Sequence, residues 1–153
     1  MRHAVFIFKV ALAEDDGIWR RIALRGNQTL DDLHWAIFDA FDRDEEHLYS
    51  FFFPKLGSKG RPLKRGEIEY THSEAADYDE EFDEGGHDAA RTKLASLGLK
   101  RKQVFRYLFD WGDEWRHTIT VEAIDAEPDK GKYPRVLEKH GKSPPQYQDY
   151  DDE

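Results

Sequence analysis

Eight residues, Asp110-Trp111-Gly112-Asp113-Glu114-Trp115-Arg116-His117, join two runs of strand-like alternation, Gln103–Asp110 and Trp115–Ile124. The arrangement predicts a β-hairpin, and with it a sheet. A hairpin tip needs only small polar residues, yet this one holds two of the chain's four tryptophans beside acids and a histidine. A structural role accounts for most of this density. Asp110 can cap the turn through an Asx interaction, Gly112 can supply positive φ, and Trp111 and Trp115 can cover the hairpin.

The rest of the chain supplies further strands. Val5–Leu12 is apolar on both faces, which predicts a central strand. Ile18–Leu24 follows, with Trp19, Arg21 and Ala23 alternating against Arg20, Ile22 and Leu24. After Gly26-Asn27, Thr29 with Asp32 forms an Asp variant of the capping box. The stripe Leu30, Leu33, Ile37, Phe41 then predicts an amphipathic helix to about Phe41. His47–Phe53 predicts a strand ended by Pro54, and Glu67–Tyr70 a short one. Thr92–Leu97 predicts a short helix capped by Thr92 and stopped by Gly98, and Tyr133–His140 another. The expected fold is α+β: a single domain over 1–143, with a mostly antiparallel or mixed sheet of about five or six strands and two or three helices packed on it. An acidic mobile loop is expected at 71–90 and an acidic disordered tail at 144–153.

The 153 residues fit one domain, and 14% aromatic content argues against wholesale disorder. The absence of cysteine excludes disulfides and thiolate metal sites. The first residues imitate a signal peptide, but Lys9 interrupts the apolar run and the alternation suits a strand. No run approaches the roughly 18 apolar residues of a membrane span, so a cytoplasmic protein is expected. The net charge of −9 is local: Glu74–Asp88 and Pro144–Glu153 hold twelve of the 32 acids and no Lys or Arg, leaving 20 acids against 23 bases elsewhere. An acidic total therefore does not exclude anionic partners.

Ile18-Trp19-Arg20-Arg21-Ile22, Thr29-Leu30-Asp31-Asp32-Leu33-His34, His47-Leu48-Tyr49-Ser50-Phe51, Phe105 to His117 and Tyr133-Pro134-Arg135 occur in that order. The series resembles the Ri-plasmid open-reading-frame-three-like family, also described as a plasmid and insertion-element passenger protein family. The resemblance implies a small α+β protein of uncharacterised function. A resolvase-like role is not supported, because no serine here sits among arginines in a catalytic setting. The family pattern of an extension beyond a Pro-Pro pair is not followed after Pro144-Pro145.

Three histidines share an inward phase. His34 lies on the apolar side of the helix, His47 is in phase with Tyr49 and Phe51, and His117 is in phase with Trp115 and Ile119. With Asp113 they are the candidates for a zinc or iron site or for acid–base chemistry. The bland alternative is a set of core-margin histidines, each satisfied by a neighbour. Asp77–Asp88 lacks the glycine and terminal glutamate of a calcium loop. No cofactor is expected.

The leading expectation is a non-catalytic interaction module that meets an unknown protein partner through Trp111, Trp115 and Arg116, since Trp and Arg are typical anchors. One alternative is a metal-assisted hydrolase or phosphoesterase using His34, His47, His117 and Asp113. The other is a nucleic-acid-binding accessory protein using Lys55, Lys59, Arg61, Lys64 and Arg65, with Lys100-Arg101-Lys102 as a second basic cluster. No membrane partner is expected.

Overall fold

Alternating apolar residues build a sheet whose inner side is almost entirely hydrophobic. The computed structural model describes residues 4–56, 62–72, 87–110, 112–125 and 131–144. The strands are β1 (Val5–Leu12), β2 (Trp19–Arg25), β3 (Tyr49–Leu56), β4 (Pro62–Thr71), β5 (Val104–Phe109), β6 (Trp115–Asp125) and β7 (Arg135–His140). They form a seven-stranded sheet in the order β4-β3-β5-β6-β1-β2-β7, with antiparallel neighbours throughout. Helix α1 (Leu30–Ala40) packs on one face, beside the 3₁₀ turns η1 (Ala89–Arg91) and η2 (Leu94–Leu97).

The expected α+β fold, with five or six strands and two or three helices, is therefore corrected to a mainly β fold with seven strands and one α-helix among the described residues. Three local causes account for the difference. Thr92–Leu97 is too short for an α-helix, and the Thr92 hydroxyl donates to the Asp88 carbonyl instead of capping it. Gly98 does end η2, in the left-handed conformation at φ 63°. Tyr133–His140 is not helical, because its second half pairs with the outer edge of β2. Pro54 does not end β3. Pairing with β5 runs only over Tyr49–Phe52, so at Pro54 that side of the strand has no ladder for a missing N–H to break. The expected acidic loop and tail fall largely outside the described residues, at 73–86 and 145–153.

The helix start follows the capping-box reading. Thr29 Oγ1 accepts from Asp32 N, and Asp32 Oδ2 accepts from Thr29 N at 2.8 Å. Leu30, Leu33, Ile37 and Phe41 then bury against Phe6, Phe8, Val10, Ile22, Leu24, Tyr49 and Phe51 from the sheet. At the other end of the helix Arg20 is 2% exposed. Its Nε donates to the Ala40 carbonyl at 2.8 Å, and its Nη1 to the Trp19 and His140 carbonyls at 2.9 Å each. Arg20 therefore ties the helix C-terminus to β2 and β7.

Replacing Arg20 with Met leaves three carbonyls without that donor, each worth roughly 1 kcal/mol. The expected outcome for Arg20→Met is a loss of about 3 kcal/mol in urea unfolding, with an unchanged m-value. A loss below about 1 kcal/mol refutes the tie.

Candidate functional site

The inward phase of three strands and of α1 carries polar side chains into the layer between helix and sheet. His34, fully buried one turn into α1, lies 3.9 Å in near-parallel stacking on the Tyr49 ring of β3. Its Nδ1 is 2.6 Å from the Tyr107 hydroxyl of β5. The Tyr49 hydroxyl donates to Asp31 Oδ1 at 2.5 Å, so β3 also holds the first turn of the helix. Burial raises the pKa of both tyrosines, Tyr49 being raised further by its bond to Asp31, and both stay protonated.

His117 of β6 is 1% exposed. Arg43, just past α1, donates from Nη2 to His117 Nε2 at 2.6 Å. An imidazole that accepts at Nε2 carries its proton on Nδ1, which faces the Tyr107 carbonyl at 3.3 Å. Burial lowers the His34 pKa to about 3, with smaller contributions from His72 and Arg43. His117 is likewise held well below the usual range, first by burial and then by Arg43. Both are neutral at physiological pH.

Arg43 is 8% exposed, and its guanidinium lies over the rings of Phe41, Phe109 and Trp115 at 5.0, 5.0 and 5.6 Å. Burial lowers its pKa to about 10. Sequence reasoning missed Arg43 because it stands alone in the acidic run Asp42–Glu46 and looks like solvated surface. It also gave no role to Tyr107, although the residue shares the inward phase of Phe105 and Phe109.

The hairpin tip holds its shape through Asp110, a non-glycine residue at φ 63°. Its Oδ1 accepts from Gly112 N at 3.0 Å and Asp113 N at 3.3 Å, and its own N donates to the Leu48 carbonyl at 2.9 Å. This is the expected Asx geometry, but the positive φ falls on Asp110 and Glu114 and not on Gly112. Of the two aspartates, Asp110 is the one that approaches His47, 3.5 Å from its Nε2, whereas Asp113 is exposed. Trp115 packs partly buried against the core, and Arg116 is exposed. Trp111 lies outside the described residues.

The three histidines do gather around Tyr107 and Phe109. His34 and His47 lie 5.8 and 5.9 Å from the Phe109 ring, and His117 lies 4.9 Å from the Tyr107 ring. Aromatic rings stand between them, and among the described residues no group of three His, Asp or Glu could hold a metal ion. Of the basic loop, Lys55 is exposed; 59 and 61 lie outside the described residues, as do the side chains of 64 and 65.

The sheet face opposite α1 has a different character. Lys9 and Arg21 both lie 5.0 Å over the Trp19 ring, on which His140 stacks at 5.2 Å. Arg106 lies 5.2 Å over Phe52. A depression of about 380 Å³ is bordered by Ala13, Phe52, Arg106, Leu108, Arg116 and Thr118. Carboxylates are interleaved: Arg21 contacts Glu122 and Glu138, Arg106 contacts Glu67, and Arg116 contacts Glu114.

Comparison with known proteins gives consistent matches. The profile of the family described as plasmid pRiA4b ORF-3-like protein matches residues 4–149. The uncharacterised protein y4hQ of Sinorhizobium fredii is 31% identical over 134 residues, 84% of this chain and 58% of its own length. The chain thus spans little more than half of that relative. A crystal structure of a protein of unknown function from Methanosarcina mazei Go1 shares the fold, with a TM-score of 0.73 at 21% identity over 95% of this chain and 74% of that one. None of these descriptions names a catalytic activity.

The buried imidazoles set a pH dependence. Their folded pKa values lie below the unfolded value near 6.5, so the unfolded chain binds more protons and stability falls as pH falls. The contribution is complete above about pH 6.5 and drains through the window down to the folded value of about 3 for His34. Between pH 6 and 5 the two groups together predict a loss of about 2 kcal/mol in urea unfolding. His34→Gln is expected to halve that slope, and an unchanged slope refutes the assignment.

Proposed function

The chain belongs to the plasmid pRiA4b ORF-3-like family, and from that premise we propose a protein-interaction module that performs no chemistry of its own. The observation carrying this reading is the sheet face opposite α1, where Trp19 and Phe52 lie under cationic side chains. Trp and Arg are the residues most enriched among interface anchors. Arg116 stands where this face meets the hairpin tip, so the proposed contact runs from the tip onto the sheet. The exposed Arg116–Glu114 pair, 58% and 54% exposed, is the weak kind of surface ion pair that a partner's carboxylate can replace.

The charge pattern favours a polypeptide over a nucleic acid. Phosphate-backbone binding draws on uncompensated positive charge, and on this face Arg21, Arg106 and Arg116 each contact a glutamate. A catalytic reading has less support, because His34 and His117 are buried, neutral and bonded internally. The placement of Val5–Leu12 between β6 and β2 makes that segment part of the sheet.

A photo-crosslinking residue at Thr118, on the open face, is expected to trap a polypeptide in cells of a plasmid-bearing host. The same group at Ser96, on the helix side, is expected not to. Trp19→Ala should weaken binding of the trapped partner on the order of thirtyfold, as loss of an anchor does. Equal trapping from both positions, or oligonucleotide binding that weakens steeply with salt, overturns the reading.

A further inference from the structure

We propose that Arg43, Trp115 and His34 form a buried receptor for one compact monoanion, either a halide or the carboxylate of a small acid. Three buried nitrogens, His34 Nε2, Arg43 Nη1 and Trp115 Nε1, have no hydrogen-bond partner among the described residues. Their side chains are linked through Arg43, which neighbours both the Phe109 ring that His34 approaches and the Trp115 ring. His34 lies 5.8 Å from the Phe109 centroid and the Arg43 guanidinium 5.0 Å, and Trp115 is the cross-strand partner of Phe109. The Trp115 ring is itself 5.6 Å from Arg43.

The charge balance indicates the ligand class. Arg43 is a buried cation whose hydrogen bond goes to a neutral imidazole. No carboxylate among the described residues lies within ion-pairing distance, 4.0 Å, of it. Cation–π contacts offset only part of the cost of such burial. In the proposed tautomer the Tyr107 hydroxyl donates to His34 Nδ1, 2.6 Å away, and the ring proton sits on Nε2. All three nitrogens are then donors beside a single positive charge. A metal cation is repelled by that set, and a dianion exceeds the charge available. A monoanion small enough to lie between the rings satisfies the donors and the charge together.

The test is a titration of uniformly ¹⁵N-labelled full-length protein with chloride, bromide or formate, at constant ionic strength held by bulky gluconate. The Trp115 indole N–H signal, identified by its loss in Trp115→Phe, should shift saturably. The melting temperature should rise with the same midpoint. Arg43→Gln should weaken that midpoint by roughly tenfold or more, as loss of a charge-assisted bond does. Should Arg43→Gln fail to fold, Trp115→Phe serves through its melting-temperature midpoint, which should weaken likewise. An indole signal that is indifferent to every small anion, or an unchanged midpoint in the variant that folds, overturns the proposal and leaves water as the partner of these donors.

Discussion

The eleven-residue helix α1 covers one side of a seven-stranded sheet, and two buried arginines at its C-terminal end make that packing possible. The last carbonyls of a helix carry partial negative charge and lack intrahelical donors. Arg20 supplies a donor to Ala40 O, and the Ser143 hydroxyl donates to Phe41 O at 2.7 Å. Phe41 is flanked by both guanidiniums, 4.8 Å from Arg20 and 5.0 Å from Arg43. Each cation is thus paired with carbonyl dipoles, rings or a neutral imidazole instead of a carboxylate. That arrangement fixes where the helix stops, and so where His34 and Phe38 meet the sheet.

Where α1 does not reach, aromatic rings fill the layer. Phe53 stacks on Phe105 at 4.3 Å, Phe51 lies 4.7 Å from Tyr107, and Phe8 meets Phe105 edge-on at 5.9 Å. Rings bury large areas and still tolerate polar atoms at their rims. His34, His117, Tyr49 and Tyr107 fit this setting as flat fillers whose heteroatoms bond across elements: His34 with Tyr107, Tyr49 with Asp31 and His117 with Arg43. Their neutrality follows from the same burial, since a charged imidazole there would face both desolvation and Arg43.

The residues disclosed this plan unevenly. Apolar residues on both faces placed β1 inside the sheet, and period-two alternation placed the β5–β6 hairpin, because burial on one face writes itself into every second position. The capping box at Thr29 was equally local. β7 was hidden because all but one of its residues are exposed and its register with β2 shifts between Arg21 and Ile22, so no alternation survives. The convergence of histidines was visible as a shared phase, but Arg43 was not, since its burial comes from elements distant in sequence. The partner face was hidden for another reason: on one strand, Arg106 reads as ordinary solvated surface until Phe52 and Glu67 are brought beside it.

The proposed contact face and the buried donors meet on β6, and the pleat is what separates them there. On β5, Arg106 and Leu108 face outward while Tyr107 and Phe109 face the helix; on β6, Arg116 and Thr118 face outward while Trp115 and His117 face in. Substitution on one side therefore leaves the chemistry of the other side chemically untouched. It does not leave the other side mechanically free. Arg116 stands between Trp115 and His117, and the Asp110 turn binds this strand end to Leu48 of the segment that carries Arg43. A partner that draws Arg116 outward must therefore act on the backbone that holds two of the groups around Arg43. The geometry thus makes the outer contact and the buried donors neighbours along one rigid strand, the shortest route by which occupancy of one could bias the other.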